Sequence, residues 1–383
     1  MSDNAVYITD IAAFLPNPPV GNEQMEHILG QVGNRPSRAR RMVLRSNGIT
    51  SRHYAIDPET LLPNYNNAEI TAEAIRRLDG RQLSLSEIDC LSCGTSIPDQ
   101  IMPNHAVMVQ GQLGLHHCEA VATAGICVSG IAALKYAYMG VLSGLHQNAI
   151  ATGSDLSSAS MKADNFSQEI DINVDNLEKQ PELAFEKDFL RWMLSDGAGA
   201  MLLQNKPATT GLSLRIDWLD IISYAGEMAP CMYAGAVKNT NDTLTGWQNF
   251  SQQHCAENSV MAVKQDVKLL NDNIIHYTVE KPLIELQQKY ALNADEIDWF
   301  IPHYSSTFFR DKVFAGLQAA NFEIPMQRWF TNLPTKGNTG AASIYIMLEE
   351  LFQSGQLKSG QKLLCYIPES GRFSTSFLHL TVV

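Results

Sequence analysis

Cys127 lies in "TAGICVSGIAALKYAYMG" (123–140), between a glycine-bearing turn and a run of small and apolar residues. A free cysteine is usually a small buried hydrophobe. Here Ile131, Leu134, Ala137 and Tyr138 follow at helical spacing, so Cys127 is expected in the first turn of a helix. The partial positive charge of a helix start favours a thiolate, and a thiolate can take an acyl group from a thioester. His303, in "WFIPHY", closes an apolar strand, where α/β sheets collect functional groups. Asn338 sits on a turn with Gly337 and Gly340, ahead of a second long apolar helix. A thiol, an imidazole and an amide are together the parts for covalent acyl transfer.

A repeat positions them. The segment "EIDCLSCGTSIPDQ" (87–100) leads to 123–155, and "EIDWFIPHYSSTFFRD" (296–311) leads to 335–371 in the same order; Glu87 to Cys127 is 40 residues and Glu296 to Asn338 is 42. Each copy reads as an apolar strand, a helix, a glycine-bearing turn, a long helix and a second apolar strand, "NAIATGSD" or "KLLCYIPES". That alternation implies βαβ units with largely parallel pairing. The expectation is a duplicated α/β fold with halves 1–205 and 206–383, whose pseudo-twofold axis brings the helix starts at Cys127 and Asn338 face to face. The polar, acidic stretch 156–192 interrupts the first half, and 156–185 reads as an insertion or cap because strand pairing should resume within "MLSDGAGAMLLQ" (193–204).

Composition narrows the function classes. The chain has 383 residues, 45% of them apolar, enough for one large core or two medium ones. A formal charge of -12 argues against a nucleic-acid partner. Seven dispersed cysteines do not form a disulfide framework and fit a reducing cytoplasm. The N-terminus is too acidic and too short in its apolar run for a signal peptide, and no run of 18 apolar residues occurs, so no membrane association is expected. Cys90-x-x-Cys93 lies inside an apolar strand without a second pair, so no metal is expected.

Cys127, His303 and "GNTGAAS" (337–343) resemble the Cys/His/Asn triad of thiolase-fold condensing enzymes, in particular β-ketoacyl-acyl-carrier-protein synthase III. "SDGAGAMLL" (195–203) is similar to that family's Asp-Gly-Ala-Gly-Ala strand, and "RSNGITSRHYA" (45–55) to its Arg-x-x-Gly-Ile-x-x-Arg region. The opening "LPNPPV", with "RPSRARRMVLRSNGI" (35–49), looks closer still to a subgroup from dialkylresorcinol and stilbene pathways, whose members join two acyl chains and close a ring.

The resemblance implies a five-layered α-β-α-β-α fold, a cytoplasmic homodimer, and no cofactor or metal beyond substrates carried on phosphopantetheine. Cys127 would carry the acyl group, with the backbone N–H groups of Cys127 and Gly371 holding the oxyanion. His303 and Asn338 would stabilise the enolate left when a β-acid thioester loses CO₂. Departures from the family pattern are His303-Tyr304-Ser305-Ser306 in place of His-Gln-Ala-Asn, Phe308 at a common phosphate contact, Ser370-Gly371-Arg372-Phe373 in place of a glycine run, and no tryptophan at the pantetheine mouth. They favour acyl carrier protein over coenzyme A as donor. Met102, Asp155, Ser306 and Phe308 are assigned to the substrate pocket, Met102 as a residue crossing the dimer interface and Asp155 as a base for ring closure. Arg40, Arg41 and Arg45, with Arg35 and Arg38, read either as a solvated face or as a docking patch for an acidic acyl carrier protein and its phosphopantetheine phosphate. Alternatives are a fatty-acid priming synthase using acyl-coenzyme A and malonyl carrier protein, an acyltransferase that does not decarboxylate, and a non-catalytic partner subunit.

Overall fold

The structure is a computed structural model that describes residues 5–32, 36–37, 40–166 and 190–383. The strands of its main sheet are β1 (Tyr7–Phe14), β2 (Cys90–Thr95), β3 (Glu119–Ala124), β4 (Asn148–Asp155), β5 (Gly197–Gln204), β6 (Leu214–Ser223), β7 (Trp299–Pro302), β8 (Lys362–Glu369) and β9 (Ser374–Val382). Their order is β7-β8-β9-β6-β1-β5-β4-β2-β3. The two halves of this order join only where β1 meets β6, at Tyr7↔Arg215 and Ile8↔Leu214.

The helices that matter here are α1 (Arg40–Asn47), α2 (Asn67–Arg76), α3 (His105–Leu113), α4 (Val128–Leu142), α5 (Val267–Ile275), α6 (Lys281–Tyr290), α7 (Arg310–Ala319) and α8 (Ser343–Gln353); one π-turn, His276–Glu280, links α5 to α6. A reciprocal capping box between Asn66 and Glu69 starts α2. Helix α4 is apolar on most of its surface because it is enclosed: it packs against β2 and β4 on one side and against β8 and β9 on the other.

Three packed clusters build five layers. The central one joins Ile131 and Leu134 of α4 and Ile344 and Met347 of α8 to inward residues of both half-sheets, among them Ile8, Met201, Leu363 and Leu378. Outside the first half-sheet, Ile70 and Ile75 of α2 and Val109 of α3 cover Leu91, Ile150 and Leu202. Outside the second, Leu283, Leu286, Val313 and Leu317 cover Phe300, Leu364 and Phe377. The five-layered arrangement therefore matches the expected fold. Because helices cover both faces, β2 and β4 are buried at nearly every position instead of alternating.

Two expectations need correction. Pairing is parallel for β2 with β3 and β4 and for β7 with β8, but β1, β5, β6 and β9 all pair antiparallel. The cause lies in the connections: β8 returns to β9 through Ser370–Phe373 alone, and a turn that short can join only antiparallel neighbours. The repeat is also less regular than its spacing suggests. Cys127 is the N-cap of α4, whereas α8 begins at Ser343, with a 3₁₀ turn, Gly340–Ala342, interposed after Asn338.

The stretch read as an insertion occupies the place of the short Ser370–Phe373 turn. β4 pairs with β5 from Asn148↔Gln204 to Asp155↔Gly197, so pairing does resume beyond it. Most of that stretch, 167–189, lies outside the described residues. Among the described residues, no helix is long and apolar enough to cross a membrane.

Candidate active site

Cys127, His303 and Asn338 line one cavity, to which both halves contribute residues. Each is placed by a different local device. Cys127 caps α4 in helical geometry without a side-chain cap bond. His303 follows the last residue of β7, and its backbone N–H donates to Tyr366 O at 2.8 Å, extending the β7–β8 pairing by one step. Asn338 is held through its backbone: its N–H donates to Met193 O at 3.0 Å and its carbonyl accepts Ser195 N–H at 2.8 Å. Its side-chain Oδ1 accepts Gly340 N–H at 3.0 Å, which orients the amide and makes Nδ2 the donating end. Glycine is required at 340: φ is +54°, and a Cβ there would lie 1.9 Å from Asp155 Oδ2.

Two carboxylates flank this arrangement. Asp155 ends β4, is buried, and accepts Ser96 N–H at 2.8 Å, Ser96 Oγ–H at 2.9 Å, Thr95 Oγ1–H at 3.3 Å and Ala341 N–H at 2.6 Å. Burial lifts its pKa to about 6 against those bonds. Glu369 ends β8, and its Oε2 accepts the N–H groups of Ile126 and Val128, each at 3.0 Å. Its pKa is raised by burial as well.

The thiol corrects an expectation. A helix start should favour a thiolate, yet the pKa of Cys127 stands well above the ordinary value, first through burial and then through the charges of Glu369 and Asp155. The first amide of α4 is already accepted by Glu369, so the helix start is offset where it would have helped. His303 goes the other way: burial pushes its pKa down to about 4, so its imidazole is neutral at neutral pH.

The model of the 3-oxoacyl-[acyl-carrier-protein] synthase III C-terminal family matches residues 287–367, the part that carries His303 and Asn338. The β-ketoacyl-[acyl-carrier-protein] synthase III of Neisseria gonorrhoeae is 26% identical over 363 residues, covering 93% of each chain. Over nearly its whole length the chain resembles synthase III condensing enzymes. Solved structures agree on its thiolase fold. AbyA1, a tetronic acid condensing enzyme, superposes with TM-score 0.76 at 20% identity, covering 98% of this chain and 99% of the other. The synthase III of Pseudomonas aeruginosa PAO1 gives 0.71 at 17%, covering 99% of each chain, and Xanthomonas campestris OleA with bound lauric acid and lauroyl-CoA gives 0.70 at 19%, covering 98% and 99%.

The remaining expected residues divide. Asp155 lines the cavity; Ser306 and Phe308 do not, and their neighbours Ser305 and Phe309 do. Ser306 is buried with its Oγ accepting Phe308 N–H at 3.2 Å, so it shapes the turn after His303. Phe308 is 45% exposed, and the Lys312 ammonium lies 4.2 Å from its ring centroid. Gly371 packs beside the nucleophile turn, a Cβ there meeting Ile126 Cδ1 at 3.1 Å, while Ser370 lines the cavity. Met102 is 79% exposed and contributes nothing to its own chain's core.

Of the three arginines, Arg40 is paired with Glu23 and Glu26 at 3.1 and 2.5 Å, leaving Arg41 and Arg45 exposed on α1. Arg35 and Arg38 lie outside the described residues. Cys90, Cys93 and Cys365 are buried strand residues whose thiols burial pushes up. Sequence reasoning missed Glu369, although "CYIPES" places an acid at the end of β8 as "ATGSD" does at the end of β4. It also missed the apolar wall of Met232, Val263, Leu270 and Ile274, which comes from a stretch without a motif.

Proposed function

We propose that this enzyme is acylated on Cys127 and condenses the acyl group with a decarboxylating β-acid thioester borne by an acyl carrier protein, followed by ring closure of the dialkylresorcinol type. Cys127 Sγ bonds to the acyl carbonyl carbon as the donor's C–S bond breaks. The departing thiolate takes the proton that Cys127 gives up, by way of neutral His303. The second thioester then loses CO₂, and the electron pair forms an enolate held by His303 and Asn338 Nδ2. Its carbon attacks the acyl-cysteine, the Cys127–acyl bond breaks, and the departing Cys127 thiolate takes a proton from solvent to regenerate the thiol. No redox or metal step is needed, because every electron pair stays within thioester and carbon–carbon bonds.

The observation that carries this reading is the shared cavity, lined by a thiol, an imidazole kept neutral by burial and an oriented amide as well as by an apolar wall. The extent of that wall supports an alkyl acyl chain over acetyl, and so counts against the priming-synthase alternative. Exposed Arg41 and Arg45 on α1, which packs beside the turn after His303, suit a docking face for the carrier protein. A homodimer belongs to the reading: β3 ends the sheet half-exposed, near exposed Ile97, Ile101 and Met102.

Intact-protein mass spectrometry after mixing with carrier-bound acyl thioesters tests the core of the proposal. The expected outcome is an acyl adduct on the wild type that is absent in Cys127→Ala; absence of an adduct with every donor would sink it. A β-ketoacyl thioester added next should release CO₂ and yield a cyclic product. A linear product with malonyl carrier protein points to the priming synthase, and transfer without CO₂ to the non-decarboxylating acyltransferase.

A further inference from the structure

Asp155 and Glu369 occupy corresponding places, the last residues of β4 and β8, each of which pairs antiparallel with the returning strand of its half. Each carboxylate reaches the turn of the opposite half. Asp155 accepts the N–H of Ala341, three residues after Asn338. Glu369 accepts the N–H groups of Ile126 and Val128, immediately before and after Cys127, on a single oxygen. Because Cys127 makes no side-chain cap, Glu369 also supplies the acceptor that the first turn of α4 lacks.

We propose that Glu369 is a positioning residue for the nucleophile: by holding the two flanking amides across the junction of the halves, it fixes the turn so that the thiol and N–H of Cys127 face the cavity. The proposal rests on the reading of Cys127 as acyl carrier. It also assigns to Glu369 a second effect, since its charge faces the thiol. The other titratable groups around that thiol are Asp155 from β4, His303 and Tyr304 after β7, and Tyr366 from β8.

Two substitutions separate position from charge. Glu369→Gln keeps a carbonyl acceptor for the amides and removes the charge; Glu369→Ala removes both. Full-length wild type and both variants are treated with iodoacetamide across about pH 6 to 10, bracketing the ordinary thiol range, and alkylation is quantified on the Cys127 peptide by mass spectrometry. The same proteins are then mixed with a carrier-bound decanoyl thioester and the rate of adduct formation is measured.

The alanine variant is expected to lose acylation rate on the order of a hundredfold, the scale of a misplaced oxyanion donor. The glutamine variant should recover most of that loss, with Cys127 alkylation at neutral pH raised roughly tenfold as its profile moves to lower pH. Three superimposable profiles overturn the proposal, as does a glutamine variant as slow as the alanine one with an unmoved profile. Should Glu369→Ala fail to fold by circular dichroism, the glutamine profile decides alone. If the wild type is never acylated, the acyl-carrier reading fails, and the alkylation profiles still decide whether Glu369 governs Cys127.

Discussion

The Cys127 turn and the Asn338 turn hold corresponding places in the two halves, but they are built to different tolerances. The Asn338 turn is enclosed: its backbone bonds to Met193 and Ser195, Gly340 fits against Asp155, and that carboxylate takes four donors. The Cys127 turn is tied across the halves at one point, where a single half-buried carboxylate takes two amides. The difference suits the roles proposed for the two turns. An amide that would only donate a hydrogen bond gains from rigidity, whereas a thiol that would form and break a bond needs room for an acyl chain beside it.

The largest effect that could break this comparison concerns the division of labour. Asn338→Ala should slow condensation on the order of a hundredfold or more while leaving acylation of Cys127 within a few-fold, because the amide serves only the second step. His303→Ala should cost condensation more than acylation, since the thiol proton of Cys127 can still pass slowly to solvent base. Single-turnover measurement of adduct formation and of CO₂ release reads both steps, and equal loss of the two steps in Asn338→Ala would erase the distinction between the turns.

A smaller effect separates the two carboxylates in stability. Asp155→Ala leaves the buried N–H of Ala341 and the partly buried N–H of Ser96 without their acceptor and should lower unfolding free energy by about 2–4 kcal/mol. Glu369→Ala, at a less completely buried position than Asp155, should cost less, about 1 kcal/mol. Urea denaturation of the two variants checks the order, and a reversal would show the Cys127 turn to be the more tightly built of the two.

The smallest effect is one of pH. Buried His303 has its pKa near 4 against an ordinary 6.5, so the folded state disfavours the proton. Its contribution to stability is present above pH 6.5 and is lost as pH falls from there toward 4. Asp155, raised from 3.8 to about 6, acts with the opposite sign across an overlapping window, its contribution being lost as pH rises toward 6. Condensation by pre-acylated enzyme should therefore hold its rate well below pH 6.5, with an acid limb near 4. An acid limb centred at 6.5 would show a hydrated imidazole and remove the contrast between an enclosed second-half site and an open first-half one.

Much of this was legible before any coordinates. Strand–helix alternation in two copies pointed to a layered α/β fold because periodicity and turn residues are local signals, and the local elements fell where those signals lay. Cys127, His303 and Asn338 stood out because each sits at an element boundary. What local pattern could not resolve were irregular stretches. After His303 the chain leaves regular structure, so the side that each residue presents cannot be counted from a period. Ser305 and Phe309 consequently face the cavity, where Ser306 and Phe308 had been expected. The antiparallel strands were missed for a related reason, since pairing direction depends on which strands the chain returns to beside.

By itself, the sequence determined the layered fold class, the duplicated order of elements and the identity of the three groups that meet at the cavity. These follow from spacing and residue type along the chain. Tertiary structure alone decided the protonation of those groups and the identity of what holds them. Burial and cross-half charge outweigh a helix start in setting the thiol, and Glu369 reaches Cys127 from more than two hundred residues away. Electrostatics and hydrogen bonding act through space over a few ångströms, and only the folded chain sets which groups come within that distance.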